Sequence, residues 1–166
     1  YRKVVAALKE RSITPMISLW HFTLPLWLAE KGGVLHPDFP EYFKRYCRTV
    51  VDAIGAPDIL FVTINEPFAF ASLGFFRGKW PPFKRGALLK YLVVTGRLVR
   101  AHLLAYQDIK KAYPLYKVGV VKNNKCVLAN GNPLNQLLAV CVRWYTNRLF
   151  LDRVHRACDF IGLNYY

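Results

Sequence analysis

Polar side chains suited to acid–base chemistry follow the apolar runs of this sequence. Glu66 comes after the run Ile59–Ile64 and is followed by Pro67. A carboxyl group at the end of an apolar run lies near low-dielectric surroundings, which favour its protonated form and suit a general acid. Other polar side chains that end apolar runs are His21, Asn65, Asn164, Tyr165 and Tyr166.

More than one interpretation of these residues stays open. Proline is favoured at the first position of a helix, so Glu66 also fits the residue that caps a helix beginning at Pro67. His21 fits a histidine of the core as well as a ligand-binding one. Tyr165 and Tyr166 fit simple packing.

The elements that must position these residues alternate between helices and apolar strands. The pattern predicts helices over 2–11, 25–31, 38–54, 87–113 and 134–151, and strands over 13–20, 59–64, 118–121 and 160–165. This alternation is typical of a parallel sheet with helices outside it. In an α/β barrel the carboxyl ends of the strands build the active site. We therefore expect these polar groups to converge on one ligand.

Composition narrows the class of protein. The chain has 166 residues, of which 54% are hydrophobic and 20% charged, so it is long enough for a core and is not of disordered type. No apolar run reaches the roughly 18 residues of a membrane span. Four cysteines without metal-binding spacing indicate reduced thiols inside the cell. With no visible signal peptide, a cytoplasmic location is expected.

The net charge is +14 with the histidines neutral. Many of the basic residues fall on the two predicted helices 87–113 and 134–151, which in a barrel face water. A solvated basic surface explains them, and an anion-binding surface stays as the alternative. Aromatic residues are not interleaved with the basic ones, as stacking on nucleic-acid bases requires, so nucleic acid is not favoured as a partner.

Four segments resemble motifs of glycoside hydrolase family 1, the β-glucosidase family. Thr63–Pro67 resembles the family's T-x-N-E-P motif, and Leu19–Leu28 resembles its L-x-H-W-D-L-P segment, which continues to K-G-G at 31–33. Gly74, Gly78 and Pro81 match a Gly/Pro-rich loop, and 159–166 resembles D-F-[IL]-G-[IL]-N-Y-Y. The segments occur in the family's order over essentially the whole chain.

The resemblance implies part of a (β/α)8 TIM barrel that hydrolyses β-glycosides with retention. We expect one partial-barrel domain over 1–166, with about four parallel strands, corresponding to strands three to six, and outer helices. In this interpretation Glu66 is the acid/base, and Asn65 hydrogen-bonds the sugar 2-hydroxyl. His21 and Asn164 belong to the substrate-binding set, and Tyr166, or else Tyr165, orients the nucleophile. No metal or organic cofactor is implied.

The sequence also departs from the family pattern. Phe22 and Thr23 replace a tryptophan and an aspartate, and Phe68 stands where the family usually has tryptophan. The segment between Phe150 and Asp159 is short for the family, so the loop that often shapes the mouth of the pocket is expected to be trimmed.

The nucleophile expected of a retaining glycosidase is missing. The sequence has no Glu after Glu66, and Asp108, Asp152 and Asp159 do not follow predicted strands. We therefore expect a fragment or a shortened relative with open sheet edges, completed by a missing barrel half or a second copy. The alternative is a catalytically inactive relative that binds a sugar or a protein.

Overall fold

Four parallel strands form the centre of the fold in the computed structural model, which describes residues 1–165. The strands are β1 (Met16–Ser18), β2 (Leu60–Asn65), β3 (Lys117–Asn123) and β4 (Phe160–Asn164). They lie side by side in chain order, β1-β2-β3-β4, and each neighbouring pair is parallel. The predicted parallel sheet of a partial α/β barrel is confirmed.

Helices connect the strands and cover one face of the sheet. They are α1 (Arg2–Glu10), α2 (Leu26–Glu30), α3 (Phe39–Ile54), α4 (Pro67–Ala71), α5 (Leu88–Ala112), α6 (Pro133–Arg143) and α7 (Leu149–Val154). Short 3₁₀ turns occupy Gly33–Leu35 and His155–Ala157, and π-helical turns occupy Ser72–Phe76 and Trp144–Arg148. Of residues 1–165, none belongs to a helix long and apolar enough to cross a membrane.

The helical periodicity of the sequence creates the core. Helix α3 buries Phe43, Cys47 and Val51, and α5 packs along it with Leu98 and Ala105 turned inward. These side chains lie four or seven residues apart and so form one apolar stripe on each helix. The stripes meet each other and the central strands, which fixes the sheet beneath the helices.

Element boundaries differ most from the prediction at two places. A strand was expected over 13–20, but β1 covers only Met16–Ser18, directly after Pro15, whose nitrogen has no hydrogen to donate to a neighbouring strand. A single helix was expected over 134–151, but the π-helical turn Trp144–Arg148 separates α6 from α7. Periodicity cannot show such a turn, because the extra residue per turn shifts the apolar face without ending it.

A buried histidine joins β2, α5 and the segment before β4. The Nδ1 atom of His102 lies 2.7 Å from Thr63 Oγ1, and its Nε2 lies 2.7 Å from the carbonyl oxygen of Ala157. A carbonyl only accepts, so Nε2 carries the hydrogen and, in the neutral ring, Thr63 donates to Nδ1. Burial lowers the pKa of His102 to about 4, partly opposed by the bond to Ala157, so the ring is neutral near pH 7.

Strand register decides which side chains share a face. Asn65 aligns with Val121, and Val121 aligns with Gly162. Because side chains alternate along a strand, Asn164 lies on the same face as Gly162, whereas Lys122 lies on the opposite face, under the helices. The sheet therefore separates two groups of polar residues that are close in sequence.

Candidate active site

The end of β2 is held by both neighbouring strand segments. The Asn65 N–H donates to the Trp20 carbonyl at 3.2 Å, and the Glu66 N–H donates to the Val121 carbonyl at 2.8 Å. Pairing between β2 and β3 is irregular from Val62 to Asn65. This irregularity lies directly before the turn, where it changes the direction of the chain.

Glu66 has an unusual backbone conformation. Its φ is 44° and its ψ is 61°, the left-handed region, which costs a residue with a Cβ about 1–2 kcal/mol. Its carbonyl oxygen accepts from the N–H groups of Ala69 and Phe70 in α4, so the backbone of Glu66 does occupy the capping position. Its side chain instead points towards β4. The backbone thus fits the capping interpretation, and the carboxylate is left to make other contacts.

Asn164 joins the two polar residues at the end of β2. Its Nδ2 donates to Glu66 Oε1 at 2.6 Å and lies 3.3 Å from Asn65 Oδ1. One amide group carries two hydrogens and can serve both acceptors. Glu66 and Asn65 are each 5% exposed. The structure therefore brings together three of the five predicted site residues, at the carboxyl end of the sheet.

His21 lies beside this cluster rather than inside the core. It follows Trp20, whose carbonyl holds Asn65, and it is exposed. Its ring packs edge-on against Phe22, with 4.7 Å between ring centroids. His21 and Phe22 line a largely apolar cavity of about 650 Å³ together with Trp80. This exposure does not fit the core-histidine interpretation.

The loop that carries His21 is ordered without the family's aspartate. The indole Nε1 of Trp20 donates to the carbonyl oxygen of Thr23 at 2.7 Å. Phe22 packs against Trp80, with 4.8 Å between ring centroids. Tyr165 is almost fully exposed, and the predicted site residue Tyr166 lies outside the described residues.

The carboxylates that follow Glu66 in the chain are engaged elsewhere. Asp108 lies 3.4 Å from Arg48 Nη1, and Asp152 lies 3.9 Å from Arg148 Nε. Asp159 accepts from the Val118 N–H at 2.8 Å at the opposite end of the sheet, where β4 begins. The prediction that none of these three follows the end of a strand is confirmed.

Lys122 is a buried cation that sequence reasoning missed, because the third strand was expected to end at Val121. Its side chain is 1% exposed, and Nζ donates to the Asn123 carbonyl at 2.7 Å. Burial, followed by repulsion from Lys125, lowers the pKa of Lys122 to about 8, and Glu66 opposes that shift. The sequence does place Lys122 directly after an apolar run, as it places Asn65 and Glu66, and this position could have identified it as a candidate.

Metal chemistry has no obvious ligand set within residues 1–165. The described side chains contain no group of three or more His, Cys, Asp or Glu residues that could hold an ion. The four cysteines are free. Burial raises the pKa of the Cys158 thiol to about 12, so it stays protonated near neutral pH.

Comparison with known proteins places this geometry in a family. Residues 1–160 match the family model described as Glycosyl hydrolase family 1. Beta-glucosidase A of Thermotoga maritima is 26% identical over 196 positions, which cover all of this chain and 44% of the relative. A mouse relative, Beta-klotho, is 28% identical over 120 residues, which cover 72% of this chain and 12% of that protein.

Solved structures agree with the family model. A β-glycosidase from Pyrococcus horikoshii superposes with a TM-score of 0.89 at 30% identity, over all of this chain and 42% of that one. The rice Os3BGlu6 β-glucosidase superposes with a TM-score of 0.90 at 22% identity and supports the fold. The chain spans less than half the length of these relatives. With its family model matched almost throughout, the chain belongs to glycosyl hydrolase family 1.

Proposed function

We propose that this chain supplies the acid/base side of a site that hydrolyses β-glycosides with retention. The observation that carries the proposal is the contact of Asn164 Nδ2 with Glu66 Oε1 at 2.6 Å, beside Asn65. It fixes a carboxyl group and two amides at the carboxyl end of a partial barrel. Relatives named as β-glucosidases over the whole chain support a β-linked sugar as substrate.

The proposed chemistry has two proton transfers. Glu66 donates its proton to the leaving oxygen as the bond to the sugar breaks, and later takes a proton from the attacking water. Asn65 donates to the sugar 2-hydroxyl, and His21 and Asn164 bind and orient the ring. Tyr166 orients the nucleophile. A retaining mechanism also needs a second carboxylate about 5 Å from the first, which we assign to a segment outside this chain.

We further propose that 1–166 acts as one partial domain that another barrel segment completes. Within residues 1–165, strands β1 and β4 each pair on one side only. On β4 the side chains of Ile161 and Leu163 are 47% and 62% exposed, although a strand inside a closed barrel buries such residues. A missing barrel half, or a second copy of the chain, would cover these edges.

The second candidate function is that of an inactive relative that binds a sugar or a protein. The observation in its favour is that Asp108, Asp152 and Asp159 are all held away from the carboxyl end of the sheet. Such a protein would keep Asn65 and Glu66 as hydrogen-bonding groups without turnover. A cytoplasmic location remains a prediction, with which the four free cysteines agree.

Hydrolysis of nitrophenyl β-glucoside by the 166-residue chain, beside Glu66→Gln, separates the two functions. Activity that disappears in Glu66→Gln supports the enzyme, with the second carboxylate supplied by association. No activity in either protein directs the test to sugar binding, measured calorimetrically with cellobiose. Binding lost in Asn65→Ala then supports the binding module, whereas activity that is unchanged in Glu66→Gln contradicts the assigned role.

A further inference from the structure

A second cavity lies on the other face of the sheet from Asn65 and Asn164. It has a volume of about 270 Å³ and lies between α4, the start of α5, the end of β3 and the turn after α6. Phe68, Tyr91 and Tyr145 form its aromatic wall. Liquid water occupies roughly 30 Å³ per molecule, so the cavity has room for a small polyatomic ligand.

The charged groups that line this cavity are all cations. They are Arg77, Lys122 and Lys125. Lys122 is the buried one, whereas Arg77 and Lys125 are exposed at the rim. Three cations around one concave surface concentrate positive potential there, and the low dielectric beside aromatic rings strengthens it.

Neutral hydrogen-bonding groups complete the lining. Ser72, Asn123 and Thr146 face the same cavity. The Thr146 hydroxyl already donates its hydrogen to the Val142 carbonyl at 2.7 Å, so the donors left for the oxygens of an anion are the Ser72 hydroxyl and the Asn123 amide, beside the ammonium and guanidinium groups. The bond from Lys122 Nζ to the Asn123 carbonyl uses one of the three ammonium hydrogens. The others can serve a ligand oxygen.

Burial of the Lys122 ammonium group destabilises the fold, and a function for this group would explain its burial. A buried ammonium group loses its hydration, and its contact with the Phe68 ring at 5.1 Å compensates for only part of that loss. A methionine would fill the same space without this cost. Glu66 lies close enough to favour the charged form, but it sits on the far side of the strand end and does not line the cavity.

We propose that this cavity binds the phosphate group of a small ligand, with Lys122 at its base and Arg77 and Lys125 at its rim. The ligand is either inorganic phosphate or a phosphomonoester, since both present the same tetrahedral oxyanion. The site lies on the face of the sheet opposite to Asn65 and Asn164, and Glu66 does not line it. It is therefore separate from the position proposed for the scissile bond. It does not depend on hydrolysis of a glycoside.

Titration calorimetry of the 166-residue chain tests this site. The ligands are inorganic phosphate, glucose 6-phosphate and, as the neutral reference, glucose. About 0.15 M NaCl limits long-range attraction by the net positive charge, because the Debye length is then about 8 Å. Lys122→Met removes the buried cation, and Lys111→Met makes the same charge change at an exposed position on α5.

The expected result is binding of at least one phosphate ligand that weakens about tenfold or more in Lys122→Met and stays unchanged in Lys111→Met. The tighter of the two ligands identifies the source of the phosphate group. Equal weakening in both variants, or phosphate ligands that bind no better than glucose, overturns the proposal. Should Lys122→Met not fold, the rim variant Lys125→Met is judged by the same two criteria.

Discussion

At the scale of single residues, the site depends on one amide. Asn164 is at the end of β4 and Glu66 is directly after β2, nearly one hundred positions earlier in the chain. Their types and positions after apolar runs are visible in the sequence, and so is the turn signal Pro67. The contact between them is not, because it requires the strand order, the irregular register after Val62 and the left-handed backbone of Glu66.

Replacing Asn164 by alanine should weaken the fold measurably. Glu66 is almost fully buried, and a buried carboxylate that loses a hydrogen-bond donor costs about 1–3 kcal/mol. The free energy of unfolding, measured by urea denaturation, should fall by that amount. Asn124→Ala, an exposed change in the loop after β3, should stay within about 0.5 kcal/mol. Equal effects of the two changes would contradict the role given to Asn164.

At the scale of elements, the sequence identified all four strands and the long helices. Strongly periodic segments such as α3 and α5 were predicted within a few residues, because their apolar stripes repeat over several turns. The bounds of β1 were not, because an apolar run does not show where pairing with β2 begins and ends. Lys122 was not assigned to β3, because a lysine ordinarily indicates the exposed end of a strand. In the structure β3 includes Lys122, and the helices cover it.

The buried His102, bonded to Thr63 and Ala157, should make stability depend on acid pH. The folded-state pKa is about 4 and the ordinary value is 6.5, so the unfolded chain takes up the proton first. Stability is fully present above pH 6.5 and falls as the pH drops towards 4, by about 3 kcal/mol from this group. Urea denaturation of His102→Gln should lack this part of the loss. His155→Gln, which changes an exposed histidine, should keep this loss of stability. A His102→Gln variant that still shows the full loss would contradict the role given to His102.

Lys122 should make stability depend on alkaline pH. Its folded-state pKa is about 8 and its ordinary value is 10.5, so the unfolded state holds its proton more tightly. Between pH 8 and 10.5 the wild-type chain should therefore gain stability relative to Lys122→Met, by about 3 kcal/mol in phosphate-free buffer. Lys111→Met should run parallel to the wild type. A constant difference between wild type and Lys122→Met across this range would show that Lys122 is not destabilised by burial.

At the scale of the whole molecule, the open sheet is the dominant feature. The chain spans 44% of Beta-glucosidase A, and the alignment is longer than the chain, so the relative also carries insertions. The sequence predicted the partial barrel because its motifs follow the family order. It could not show which residues the open edges leave in contact with water.

Association through β4 should depend on its exposed side chains. Sedimentation velocity should show a sedimentation coefficient that rises with concentration, because apolar strand edges pair with other strands. A chain that carries Ile161→Lys and Leu163→Lys together should sediment as a monomer. Leu115→Lys, at an exposed apolar residue between α5 and β3, is the control and should leave association unchanged. A wild-type chain that stays monomeric at all concentrations would exclude self-association.

The acid/base role proposed for Glu66 is tested by how the effect of its removal depends on the leaving group. The chain would replace the matching segment of Thermotoga maritima Beta-glucosidase A, so that the barrel is complete, and the parent enzyme would serve as reference. A general acid matters most when the leaving oxygen is basic. Glu66→Gln should therefore slow hydrolysis of methyl β-glucoside about 10²–10⁴-fold, and bond cleavage of dinitrophenyl β-glucoside far less. Equal slowing of both substrates, or none, would contradict an acid/base role for Glu66.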